Sequence, residues 1–241
     1  MKLEVLPPLY VQIKNHLLRK ITNDEYDEHS KLPSERKLSQ KFDVSRMTAR
    51  KALNELVNEG YVYREAGRGT FVAGKKIERD FIEINGFTEH LKNCGINGIE
   101  TEVITKKIIE VDNKIAEKLN VNTGTKCYKI VRLRKVSNNP ISIQYAYLAV
   151  EKFNEIIKYD LKKESLYQII QEYYNCNITK ATSKLELRYL DEYNAKLLKL
   201  SKKMPVFKIN QVAYDNNNNV IEYCQSLNRT DVFSYAFEIT K

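Results

Sequence analysis

Cysteine and histidine are scarce and scattered in this 241-residue chain. The four cysteines, Cys94, Cys127, Cys176 and Cys224, share no close spacing. That argues against a zinc site and fits reduced thiols in a cytoplasmic protein. His16, His29 and His90 are equally dispersed, and no metal or other cofactor is expected. No run of about 18 apolar residues is present, so no membrane span is expected. The opening Met1-Lys2-Leu3-Glu4 lacks the apolar core of a signal peptide. No nucleophile–base pair stands out, so nothing argues for an enzyme.

What the chain does have is positive charge and enough apolar residues for real cores. Net charge is +9 and 42% of residues are hydrophobic. The charge suits a polyanionic partner, but it is spread evenly: residues 1–75 carry +4 and the remainder +5. The local pattern is sharper. Lys31 to Arg50 holds six basic residues and two acidic ones.

That stretch reads as a helix-turn-helix. Tyr10, Ile13, Leu17 and Ile21 predict an amphipathic helix over 9–22, started by Pro7-Pro8. Residues 23–31 are a polar loop. Ser34 caps a second helix with Leu38 and Phe42 inward, and Asp43-Val44 makes the turn. Ser45 caps a third helix whose Ala49, Ala52, Leu53, Leu56 and Val57 form one apolar stripe, stopped by Gly60. Short strands at 61–65 and 70–73 around Ala66-Gly67-Arg68-Gly69 predict a wing, and a linker follows from Gly74 to about residue 85.

The chemistry of DNA reading sits on these elements. Arg46 and Arg50 are one helical turn apart, on the flank of the apolar stripe at the leading end of the recognition helix. Arginine suits bidentate contact with guanine. Ser45 and Thr48 can donate to phosphate or base edges, Arg36 faces backbone phosphate, and Gly67 and Gly69 let the wing carry Arg68 to the minor groove. The alternatives are an Arg36–Glu35 pair and a merely solvated Arg46 and Arg50.

Pro8-Leu9-Tyr10-x-Gln12-Ile13, Leu32-Pro33-Ser34-Glu35-Arg36, the run from Val44 to Arg50, Ala52-Leu53-x-Glu55-Leu56, Glu59-Gly60-Tyr61 and the run from Gly67 to Val72 resemble the winged-helix domain of the GntR family of bacterial regulators. The likeness spans nearly all of residues 8–73. It implies DNA contacts by Arg36, Arg46, Thr48, Arg50 and Gly69.

The second part is strand-rich, with runs at 99–109, 126–135, 141–148, 178–189, 206–214 and 220–228. Short helices are predicted near 112–119, 165–174 and 191–199, capped by Asp112, Ser165 and Asp191. At an offset of 79, Asp112, Ala116 and Leu119 align with Asp191, Ala195 and Leu198, and Cys127, Tyr128 and Ile130 with Val206, Phe207 and Ile209. Two copies predict an antiparallel sheet with helices on one side and a cavity at the seam. The alternative is two ordinary helix–hairpin units with chance matches.

Phe87-Thr88-Glu89, Arg132-Leu133-Arg134, Pro140-Ile141, Ser165-Leu166-Tyr167, Val220-Ile221-Glu222 and Arg229-Thr230-Asp231 resemble the UTRA ligand-binding domain. That domain defines the HutC-type branch and has a chorismate-lyase-like fold. In a strand, Arg132 and Arg134 point to one face and can clamp an anion; their alternative is pairing with acids on a neighbouring strand. Ser165 and Tyr167 begin a helix, which favours an anion, though Ser165 can be a cap alone. The resemblance implies a sugar-phosphate site of Thr88, Arg132, Arg134, Ser165 and Tyr167, with Glu222 and Gln144 on the rest of the ligand. Some amino-sugar-phosphate binders of this branch carry an acid where Gln144 stands, which leaves a neutral phosphorylated sugar equally open.

The expectation is an α+β chain: a winged helix-turn-helix over 1–75, a linker over 76–85, and an antiparallel-sheet α+β effector and dimerisation domain over 86–241. It would be a homodimeric, cytoplasmic repressor of sugar genes, bound to operator DNA and answering a sugar phosphate through the hinge at 74–85. The alternatives are a constitutive DNA binder whose second domain only dimerises, and a lyase-like enzyme.

Overall fold

The computed structural model describes residues 7–28, 30–65, 67–74, 76–80 and 86–236. The chain divides into two compact units, residues 1–76 and 77–241. Of the predicted linker and hinge, residues 75 and 81–85 lie outside the described residues, as do His29 and Ala66.

The first unit contains α1 (Leu9–Thr22), α2 (Glu35–Lys41), α3 (Arg46–Asn58), β1 (Val62–Glu65) and β2 (Gly69–Val72). Local chemistry sets the boundaries. Ser34 accepts from the Lys37 amide at 3.3 Å and Ser45 from the Thr48 amide at 3.1 Å, each supplying an acceptor to an otherwise unpaired helix-start N–H. Asp43 takes a left-handed φ of 49° between α2 and α3, and Gly60 takes 78° after α3. Ile13, Leu17, Leu38, Ala49, Leu53 and Leu56 fill the core with Val62 and Val72 of the wing. The wing strands pair Val62 with Val72 and Glu65 with Gly69. Lys31 bridges to Phe71, so the end of the 23–31 loop adds a third rung.

The second unit contains β3 (Ile77–Asp80), α4 (Phe87–Asn93), β4 (Ile99–Glu110), α5 (Asn113–Leu119), β5 (Lys126–Val136), β6 (Asn139–Ala149), α6 (Leu166–Tyr174), β7 (Ile178–Tyr189), α7 (Glu192–Leu198), β8 (Pro205–Asp215), β9 (Val220–Arg229) and β10 (Phe233–Ala236). Six strands form one antiparallel sheet in the order β4-β5-β6-β9-β8-β7. β3 and β10 form a separate parallel pair. Ile77–Asp80, expected as linker, is therefore strand: Ile77 and Phe233 are register partners and join the apolar cluster of Phe87 and Leu91.

The internal repeat extends to the element boundaries. β4, α5 and β5 recur as β7, α7 and β8 at an offset of 79 at both ends of each element. Asp112 and Asp191 both cap with their side chains, and Asn120 and Lys199 both end their helices at φ 54°. The hairpin after β5 turns on Ser137 and Asn138, both left-handed, which matches the twist of the strands. The turn after β8 is two residues longer, so the register shifts there. The sheet order makes β6 and β9 the central pair, with one repeat on each side.

Helices cover both faces of the sheet, not one as expected. Along β5, Cys127, Val131 and Leu133 pack with α5 and α7, through Ala116, Leu119, Ala195 and Leu198. Tyr128 and Ile130 pack with Leu166, Ile169 and Ile170 of α6 on the other face. Side chains alternate along a strand, so Arg132 and Arg134 continue the α6 face beyond its apolar part. Among the described residues no helix is long and apolar enough to cross a membrane.

Candidate functional site

The first site is the leading end of α3. Ser45 Oγ lies 2.8 Å from Thr48 Oγ1 as well as accepting the Thr48 amide. These hydroxyls thus fix the helix start. Arg36, Arg46 and Arg50 are exposed, and none forms an ion pair among the described residues. Glu35, the alternative partner of Arg36, instead binds Arg64 of the wing at 3.0 Å. In the wing, Arg68 pairs with Glu65 while 73% of its side chain stays exposed. Gly69 has φ +131°, and a Cβ there would stand 2.7 Å from Lys31 Cε, so only glycine fits without strain.

The second site is a cleft of about 510 Å³, counted to its open mouth, on the α6 face of the sheet. Thr88, Arg132, Arg134, Gln144, Ser165, Tyr167 and Glu222 all line it. β5 contributes the arginines and β6 places Gln144 opposite Arg132. β9 contributes Glu222, while α4 and α6 deliver Thr88, Ser165 and Tyr167 from their first turns. A Cβ at Gly86 would lie 3.1 Å from Ser165 Oγ, so the two helix starts meet. Ser165 stands at the N-cap of α6, but its side chain makes no cap bond. The expected capping role fails, and the hydroxyl borders the cleft instead.

The cleft is polarised. Arg134 is 2% exposed, donates to Thr88 Oγ1 and lies 4.9 Å from the Phe87 ring centre. Its pKa is lowered to about 9 by burial, then by the charges of Arg132 and Arg79. Arg132 and Arg134 each keep a buried Nε without a partner, and the buried Gln144 Oε1 also has none. No ion pair to either arginine forms among the described residues. Burial raises the pKa of Glu222 against the opposing Arg132 charge and the hydrogen bond from Tyr167. The Tyr167 hydroxyl donates to Glu222 and accepts from Gln211 Nε2 at 3.4 Å. Burial and the nearby Glu222 charge push the Tyr167 hydroxyl well above its ordinary value.

Arg79, Gln211, Ser226 and Cys224 also line the cleft and were missed. Gln211 was within reach, since the 79-residue repeat applied to Arg132 lands on it. Arg79 carries no local signal, because its strand pairs with residues far along the chain. Burial raises the Cys224 thiol pKa well above its ordinary value, so it lines the cleft as a neutral thiol.

Comparison with known proteins agrees with both units. Residues 9–72 match the model for bacterial regulatory proteins of the gntR family, and residues 97–234 that for the UTRA domain. The chain is 32% identical over 229 residues to the HTH-type transcriptional repressor NagR of Bacillus subtilis, covering 95% of this chain and 93% of that one. It is 27% identical to the probable fructoselysine utilization operon transcriptional repressor of Escherichia coli K12, covering 88% and 87%. The crystal structure of PhnF from Mycobacterium smegmatis matches with TM-score 0.66 at 25% identity, over 95% of this chain and all of that one. A winged helix with exposed arginines at its recognition helix, joined to an arginine-lined cleft, fits these relatives: the chain belongs to the GntR family of transcriptional regulators, in the HutC-type branch with a UTRA domain.

Proposed function

We propose that the chain is a homodimeric repressor of sugar-related genes whose operator binding is set by a phosphorylated sugar. The observation that carries the effector class is the pair of buried arginines with unpartnered Nε atoms, Arg132 and Arg134. A buried cation without an ion pair is costly, and an incoming anion supplies acceptors for the unpartnered Nε atoms. A phosphate monoester, with a charge of about −1.5 to −2 at neutral pH, matches this end of the cleft. Around the arginines, Gln144, Gln211 and Ser226 offer neutral groups and Glu222 an acceptor, suited to sugar hydroxyls. Repression of a sugar operon is the printed role of the fructoselysine relative, which supports the same reading here.

The winged helix supports operator contact by Arg36, Ser45, Arg46, Thr48, Arg50, Arg68 and Gly69. Two copies would read half-sites about one helical turn, roughly 34 Å, apart. The effector must bind two dimer states with different affinity to change DNA binding. A thermal-shift screen with phosphorylated sugars, amino-sugar phosphates and their unphosphorylated forms tests the effector class. At 100 times Kd a ligand stabilises by about 2.7 kcal/mol. A shift that needs the phosphate and is lost in Arg132→Ala supports the reading. No shift across the set, with protein folded and dimeric, rejects it.

A further inference from the structure

We propose that Arg79 is a third ligand of the bound anion, and that the effector thereby fastens β3, the first strand of the second unit, to the domain that binds it. This rests on the reading of the cleft as an anion site. β3 begins at residue 77, where the second unit begins, so whatever holds β3 holds the chain as it leaves the winged helix.

Among the described residues, Ile77–Asp80 pair with Phe233–Ala236 of β10, in parallel and outside the six-stranded sheet. Parallel pairs are less stable per residue than antiparallel ones, and a two-stranded sheet is marginal alone. Ile77 adds apolar contact with the Phe87 cluster. Within β3, Arg79 is the residue that lines the cleft.

Its guanidinium lies 5.3 Å from the Phe87 ring centre, and Arg134 lies 4.9 Å from the same ring. It donates to the Tyr235 hydroxyl on β10, whose other bond is from Asn228 Nδ2 at 2.9 Å. No carboxylate among the described residues is ion-paired with it. Three guanidiniums therefore converge on one cleft where, among the described lining residues, the one carboxylate, Glu222, is bonded to Tyr167. With the cleft empty, repulsion from Arg132 and Arg134 opposes the docking of Arg79, and so of β3. A dianion between them reverses the sign, and the same charge that binds the ligand then holds the strand. By linkage, a state with β3 docked binds the anion more tightly than one with it released.

Inorganic phosphate is the probe, added to the full-length protein. Phosphate should slow amide hydrogen exchange at 77–80 and 233–236 at least fivefold in the wild type. Arg79→Gln should bind phosphate about tenfold more weakly and lose that protection. Arg79→Lys, which keeps the charge but not the fork, should recover part of both and shows that the strand still folds. Unchanged phosphate affinity in Arg79→Gln, or protection that persists in it, overturns the proposal. If Arg132→Gln abolishes binding while Arg79→Gln does not, the anion site stands and only the role of Arg79 falls. If phosphate fails to bind the wild type, the reading of the cleft falls and this proposal with it.

Discussion

Gln211 occupies in β8 the place that Arg132 occupies in β5: each is the seventh residue of its strand, and both line the cleft. Repetition built two equivalent positions, and the side chains make them unequal. An arginine stands at one position and an amide at the other, which would draw the charged group of a ligand towards β5. Replacing Arg132 by Ala should collapse the preference for phosphorylated over unphosphorylated sugars, at a cost of about 1.5–3 kcal/mol for the lost charged hydrogen bond. Gln211→Ala should weaken both classes alike, by about 0.5–1.5 kcal/mol. Calorimetric titration of each variant with a matched pair of ligands decides it. Equal losses for the two variants on both ligands would show that the cleft has no polarity.

Ser45 and Arg50 separate stability from recognition on one helix. The Ser45 side chain caps α3, so Ser45→Ala should lower stability by about 0.5–2 kcal/mol. Arg50 is exposed and without an ion pair. Arg50→Ala should leave stability within about 0.5 kcal/mol and weaken operator binding by about 1–3 kcal/mol. Urea unfolding and a DNA-binding titration on the same two proteins give the comparison. An Arg50→Ala protein with full operator affinity would remove that residue from the interface.

β7 is an edge strand with Leu187 60% and Tyr189 71% exposed on one face, beside exposed Leu185 and near exposed Tyr193 of α7. An unpaired edge with an apolar row invites pairing with another copy. If the proposed homodimer forms along this edge, Leu187→Lys should shift it towards monomer by at least about tenfold in dissociation constant, one decade being 1.4 kcal/mol, without unfolding it. Sedimentation over a concentration series measures this. An unchanged dimer places the interface elsewhere.

The pH dependence of ligand binding follows from Arg134. Its pKa is lowered to about 9 by burial and by the neighbouring arginines. A bound anion favours the charged form and raises that value, so binding above it takes up a proton. Phosphate affinity should fall as pH rises through about 9. In the unliganded protein the sign reverses. The folded-state value lies below the ordinary one, the unfolded chain holds the proton between the two, and the contribution of this group to stability rises with pH across that window. Titration at pH 8 and pH 10 in buffers of different ionisation enthalpy reports the proton uptake directly. Equal affinity at both pH values, with no proton taken up, would show that Arg134 stays charged in the unliganded protein up to pH 10.

Much of this architecture is legible in the chain because its determinants are local. Ser34, Ser45, Asp112 and Asp191 act on amides three residues away, so residue type at the right place was enough. The repeat extended to element ends for the same reason: caps and turns recur with it. The arrangement of helices on both faces was also written in β5 and β6, where Tyr128, Ile130, Val131, Leu133, Ile143 and Ala146 are buried on alternating sides. A strand apolar on both faces needs cover on both.

Tertiary structure alone decided the rest. Ser165 has the identity and position of a cap, yet its hydroxyl borders the cleft, because the start of α4 at Gly86 comes up against it. Ile77–Asp80 looks like linker because its hydrogen-bond partners, residues 233–236, lie at the far end of the unit. Arg79 acquires its place only through that pairing. The sequence by itself determined the elements, their caps and the cationic strand of the cleft, through forces that act over a few residues. Which distant groups would close the cleft around an anion was settled by strand pairing and burial across the whole unit, which no local pattern encodes.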